Sequence, residues 1–169
     1  MLKLSKKNPG AAPGLEHDEI ELLPSETGRV NVTCIDYCPG EIAIRDIDNL
    51  EDFLEHHRPD WSAVRWINVA GLSDMRLIHA LAAKYDLHPL AIEDVLHLSQ
   101  RPKVEPYGGE ESEVQARLFI VAHVLQLQDE RLHSEQVSIF LGHKTVLTFQ
   151  ETPGDVWDPI RQRLKTALG

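Results

Sequence analysis

The sequence predicts a single-domain α/β protein of the mixed (α+β) kind, built on a mixed parallel/antiparallel β-sheet covered by helices on both faces. Three observations carry that expectation. Helical and strand patterns alternate through the first half of the chain, and strand patterns cluster in the second half. The joints between the late strands, QDER and GHK, are short enough for antiparallel hairpins. The chain of 169 residues is long enough to bury a substantial core as one unit.

Residues 1–28 are rich in Lys, Pro and Gly and then polar, which reads as an extended arm ahead of a domain over 29–169. Arg29–Asp36 alternates Val30, Val32 and Cys34 on one face, a strand pattern. Pro39-Gly40 makes a turn into a second alternating strand, Glu41–Ile47. Asp48 is expected to cap a helix, with Glu51 at the capping-box position, running to about Arg58 before Pro59 stops it. Val64–Val69 is a short apolar strand, and Ser73 is expected to cap a helix carrying Met75, Ile78, His79 and Ala82 at helical spacing.

The next helix opens at His88-Pro89, since proline suits a first turn whose N–H has no partner anyway. Its pattern continues through Gln100 and Arg101 until Pro102 ends it and leads a strand. Gly108–Arg117 is polar and reads as a loop. Three strands follow, Leu118–Leu127, Gln136–Leu141 and Thr145–Gln150. A last helix starts near Asp155 or Asp158-Pro159 and is still helical in pattern at Leu168. Trp66, Trp157 and Phe140 sit within apolar pattern as core residues.

Composition narrows the function classes. A 42% hydrophobic and 26% charged content is that of a globular protein, and 27 acidic against 17 basic residues give a net charge of −10. That balance argues against a nucleic-acid surface, which needs a basic face, and it suits attraction of cations. No apolar run approaches the ~20 residues that cross a bilayer. Cys34 and Cys38 are read as reduced structural residues, because no second Cys or His pair completes a metal knuckle. The sequence carries no Gly-rich phosphate loop, GxSxG elbow or Cys-His arrangement, so no enzyme is expected.

The informative stretch is His88–Glu105, HPLAIEDVLHLSQRPKVE. At about 100° per residue, Ala91, Ile92, Val95, Leu96 and Leu98 fill one arc, while Glu93, Asp94 and His97 fall opposite. Hard cations such as Mg2+ prefer oxygen ligands, keep several waters and need only one or two carboxylates. Glu93 and Asp94 therefore supply part of a divalent-cation site, or else are a solvated helix face. Two carboxylates cannot enclose an ion. His97, four residues from Glu93, is a conceivable transition-metal partner, and Arg101 and Lys103 are placed to form salt bridges with the acidic side.

This stretch, followed by EQVSIFLGHKTVLTFQE (Glu135–Glu151) and GDVWDPIRQRLK (Gly154–Lys165), resembles the N-terminal cytosolic domain of the CorA family of magnesium and cobalt transporters. WINVAGL (Trp66–Leu72) and KLSKKNPGAAPG (Lys3–Gly14) stand in the family's order too. The resemblance implies a regulatory domain on the cytoplasmic side of the membrane, sensing Mg2+ (or Co2+ or another divalent cation). It also implies that Glu93 and Asp94 help to bind that ion between neighbouring copies of a pentamer, favouring the closed state. The partner carboxylates, the two membrane helices and the family's Gly-Met-Asn pore signature are absent from this chain, so the resemblance implies a domain truncated before them. Two other readings stay open: the similar domain of a related zinc transporter, and a free-standing soluble metal- or ligand-binding module. A metal-dependent hydrolase using Glu93 and His97 is the least supported.

Overall fold

The fold is known from a computed structural model, which describes residues 30–109, 115–128, 131–152, 154 and 156–168. The expected arm, 1–28, lies outside the described residues, as does 110–114 of the Gly108–Arg117 loop. Seven strands and four helices follow in chain order: β1 (Asn31–Cys38), β2 (Glu41–Asp46), α1 (Leu50–Glu55), β3 (Val64–Ala70), α2 (Met75–Lys84), α3 (Pro89–Leu96), β4 (Lys103–Tyr107), β5 (Arg117–Gln128), β6 (Arg131–Leu141), β7 (Thr145–Gln150) and α4 (Asp158–Leu168).

The strands form one mixed sheet in the order β2-β1-β3-β7-β6-β5-β4. Its central pair, β3 and β7, is parallel, and every other neighbouring pair is antiparallel. A parallel pair needs a long crossover, and everything from α2 to β6 serves as one. Alternation along each strand sets the two faces. Val32, Cys34, Ile67, Val69, Phe119, Val121, Phe140, Leu147 and Phe149 point to one side. There they pack with Phe53 of α1, Ile78 and Leu81 of α2, and Ala91, Ile92 and Val95 of α3. Trp66 faces the other side, where Trp157 meets it edge-on at 5.7 Å just before α4, and α4 runs on against β2. Helices thus cover both faces, as expected.

Helix ends depart from the sequence pattern by small steps with clear causes. α1 is capped by Asn49, whose Oδ1 accepts from the Asp52 N–H at 3.2 Å, and α2 by Asp74, whose Oδ1 accepts from the Leu77 N–H at 3.1 Å. The expected caps Asp48 and Ser73 each stand one residue too early. α1 also stops at Glu55, short of Arg58. At the end of α2, Asp86 adopts φ +52° and the Leu87 N–H returns to the Ala82 carbonyl at 2.9 Å. That is a Schellman closure, tolerable for Asp though commoner with Gly.

Two larger differences concern α3 and β6. α3 ends at Leu96, not at Arg101, because His97 leaves the helical region (φ −99°, ψ 90°) and the Gln100 N–H is taken by Gln136 Oε1 at 3.2 Å. Leu98, expected in the packed arc, is consequently 43% exposed. β6 starts at Arg131 rather than Gln136, since its ladder with β5 runs on from Val124↔Glu135 to Gln128↔Arg131. Backbone pairing there extends past the apolar pattern. Pro106 lies inside β4, which is an edge strand, where a missing N–H breaks no ladder. Cys34 and Cys38 are both free thiols.

Candidate metal site

Three local features build the segment from His88 to Glu105. His88 caps α3, its Nδ1 accepting from the Leu90 N–H at 3.2 Å, and Pro89 fills the first helical turn. The His88 ring also stacks on Tyr107 of β4 with centroids 4.6 Å apart, which ties the helix start to the strand. Burial of Ala91, Ile92 and Val95 then turns Glu93 and Asp94 away from the core, leaving both half-buried.

Asp94 is not an open carboxylate. Its Oδ2 accepts from Lys103 Nζ at 2.7 Å, and the same ammonium reaches Glu105 Oε2 at 2.8 Å. Burial works against the Lys103 charge, but the bonds to Asp94 and Glu105 outweigh it and hold its pKa above the ordinary lysine value. The hydrogen bond from Lys103 in turn lowers the pKa of Glu105. Tyr107 donates its hydroxyl to the same Glu105 oxygen at 3.0 Å, and burial raises its phenol. The backbone beneath is pinned as well, with buried Gln136 donating to the Asp94 carbonyl at 3.1 Å.

Glu93 differs from its neighbour. Among the described residues its carboxylate has no hydrogen-bond or ion-pair partner. The conceived Glu93–His97 pair does not form, because His97 has left the helix and its Nδ1 lies 3.3 Å from Gln100 Nε2. Arg101 is exposed and makes no ion pair with described residues, so Lys103 alone fulfils the expected salt bridge.

Chemically, the two carboxylates could serve at most as half of a metal site. Among the described residues no group of three or more His, Cys, Asp or Glu side chains could hold a metal ion. One unpaired carboxylate beside another held by an ammonium fits a hydrated hard cation with further ligands from elsewhere. It offers nothing to a soft or imidazole-seeking metal.

Sequence reasoning missed a second charged assembly. Asp36 and Arg65 face each other in the β1/β3 register and are both almost fully buried. Arg65 Nε donates to Asp36 Oδ1 at 2.8 Å and its terminal nitrogen to Oδ2 at 2.9 Å. Arg45 stands 3.7 Å from the same carboxylate, and the Phe53 ring lies against both guanidiniums at 5.8 and 5.4 Å. The signal available was one arginine inside the mostly apolar run VRWINV. Burial, followed by the Asp36 charge, pushes the neighbouring Cys34 thiol up to about 11.

With this geometry in place, likeness to known proteins can be set beside it. The family model described as "CorA-like Mg2+ transporter protein" matches residues 61–169. The cobalt/magnesium transport protein CorA of Thermotoga maritima is 34% identical over 132 residues, covering 76% of this chain but only 34% of that protein. The chain therefore spans about a third of the length of this curated relative. Among solved structures, the full-length CmaX protein shares the fold with a TM-score of 0.63 at 13% identity, covering 86% of this chain and 42% of that one. The cytoplasmic domain of ZntB from Vibrio parahaemolyticus does so at 0.58 and 14% identity, covering 82% and 51%.

Proposed function

The chain belongs to the CorA-like Mg2+ transporter family, and from that premise we propose that it is the cytosolic regulatory domain of a divalent-cation channel of this kind. Mg2+ is held between neighbouring copies in a ring, five in the family it resembles, with Glu93 and Asp94 as this copy's ligands and Asp94 the firmer of the two. The bound ion favours the closed assembly, and its loss when internal Mg2+ falls lets the copies separate.

The observation that carries the reading is the half-site itself. Glu93 has a carboxylate without a described partner and Asp94 one with a single cationic partner, Lys103. A ligand set that is incomplete among the described residues is completed by waters and, on this reading, by a neighbouring copy. Without the ion, carboxylates facing each other across such a boundary repel. With it, the closed arrangement gains free energy the open one lacks, and only that difference shifts the population. The shared fold of ZntB leaves the ion open, and ligand chemistry supports one side: two carboxylates without Cys suit Mg2+ better than Zn2+.

Proteolysis of the assembled full-length protein tests this. Mg2+ is expected to protect the wild type, and Asp94→Asn to need at least several-fold more Mg2+ for the same protection. Identical protection curves would remove Asp94 from the mechanism.

A further inference from the structure

Where α1 and α2 end and β3, β5 and β7 begin, the surface opens into a cleft of about 330 Å³. It shares no residue with the half-site on α3. Its lining includes Arg58, Arg65, Lys84 and Arg117 together with His56 and His57 and, among the described residues, no carboxylate. Such a concentration stands out in a chain of net charge −10.

Part of that charge is already used. Arg65 is neutralised from behind by Asp36. Arg117 donates through Nε and a terminal nitrogen to the Tyr85 carbonyl at 3.1 and 2.7 Å, satisfying the end of α2. His56 Nδ1 lies 2.6 Å from the Asp52 carbonyl near the end of α1. Each helix end contributes roughly half a negative charge. Four fixed cations, less Asp36, less two such ends and less Asp86, whose Oδ2 accepts from the Gln115 N–H at 2.8 Å at the cleft's edge, leave an excess of about one positive charge.

No described ion pair offsets the rest. Among the described residues no carboxylate comes within ion-pair distance of Arg58, Lys84 or Arg117. Burial depresses the Arg117 pKa, with Asp86 opposing only at longer range. Helix ends therefore account for Arg117 and in part for Lys84, but not for Arg58, which follows α1 and precedes Pro59.

We propose that this cleft binds a small phosphate-bearing anion, with Arg58 and Lys84 as its cationic contacts and Arg117, fixed on the Tyr85 carbonyl, adding to the positive field. A phosphate anion is drawn by that positive excess. Its tetrahedral oxygens suit guanidinium donors, which bind two at a time, and an ammonium point charge. The Thr145 hydroxyl and Gln115 amide, also in the lining, supply neutral donors for the remaining oxygens. The volume is at the small end of ligand pockets, about 300–1,000 Å³, so the ligand is free phosphate or a compact phosphate ester.

Calorimetric titration of the chain in resin-treated, metal-free buffer tests the site, first with inorganic phosphate against chloride at equal ionic strength, then with ADP. Saturable one-to-one phosphate binding is expected. Arg58→Gln and Lys84→Gln should each weaken it ten-fold or more, with unchanged circular dichroism. Arg76→Gln, at the far end of α2, should leave it in place. ADP binding ten-fold tighter than phosphate would assign an ester as the source, and equal or weaker ADP binding the free ion; both support the site. Equal loss in Arg76→Gln would mean diffuse surface attraction and would overturn the proposal. So would no phosphate binding at all.

Discussion

The molecule holds two acid–base pairs of opposite character, Asp36–Arg65 at the β1/β3 junction and Asp94–Lys103 between α3 and the β4 edge. The first pair has side chains 4% and 2% exposed and is bidentate, with Ser62 and Arg45 as further partners of the carboxylate. The second has side chains 19% and 25% exposed and makes one short contact, through an ammonium that also serves Glu105. A guanidinium fork sealed by Phe53 and the sheet cannot be exchanged for water or an ion without opening the core. An ammonium at a half-open edge can. The same two charges thus make a fixed strut in one place and a replaceable counter-ion in the other.

Breaking the strut should give the largest effect. Asp36→Ala leaves a buried guanidinium uncompensated, at a cost of about 3–5 kcal/mol. At about 2–4 °C per kcal/mol for a chain of this size, the melting temperature should fall by ~10 °C. The double replacement Asp36→Leu with Arg65→Met should recover much of that loss, since a buried pair replaced by packed apolar groups is often neutral. Failure of the double variant to recover would mean that the pair has a role beyond pairing. Cys34 reports on the same region. With its thiol pushed up to about 11, first by burial and then by the Asp36 charge, it should resist alkylation at pH 8 while the half-buried Cys38 reacts, and Asp36→Ala should narrow that difference without removing it.

The contrast also explains what the sequence could show. Strand patterns, the Pro39-Gly40 and GHK joints and the α3 start at His88-Pro89 are local properties, so they were legible. The end of α3 was not, because it depends on Gln136, thirty-six residues away from the Gln100 N–H it captures. Glu93 and Asp94 stand out as a pair because they are adjacent. A salt bridge from Lys103 to the acidic side was legible too, but that it selects Asp94 and leaves Glu93 depends on how the fold sets β4 against α3. Asp36 and Arg65 are twenty-nine residues apart and meet only through the β1/β3 register, and the basic cleft gathers residues from five separate elements. Sites made of neighbours can be read from sequence; sites made by topology cannot.

The replaceable pair should show smaller stability effects and larger ion effects. Asp94→Asn removes a half-exposed pair and should cost at most about 1 kcal/mol in melting experiments. Lys103→Gln sharpens the contrast, because it removes the cation that competes for Asp94 Oδ2. On the proposed function, Mg2+ should then bind the assembled protein about five-fold more tightly, the equivalent of about 1 kcal/mol of lost competition. Weaker Mg2+ binding in this variant would instead make Lys103 an organiser of the site.

The smallest effect belongs to Glu105. Its folded pKa is lowered, first by the Lys103 hydrogen bond, so its contribution is present above the ordinary carboxylate range and is lost as pH falls through the lowered value. Because the Glu105 side chain is 41% exposed, screening limits that contribution to a few tenths of a kcal/mol. Glu105→Gln should therefore lower stability slightly at neutral pH and converge with the wild type in acid. In the same series Asp94→Asn should retain the acid dependence that Glu105 supplies, because Lys103 still has Glu105 to hold. If Asp94→Asn erased that dependence, the two carboxylates would act as one unit around Lys103, and Asp94 would not be separately available to an ion.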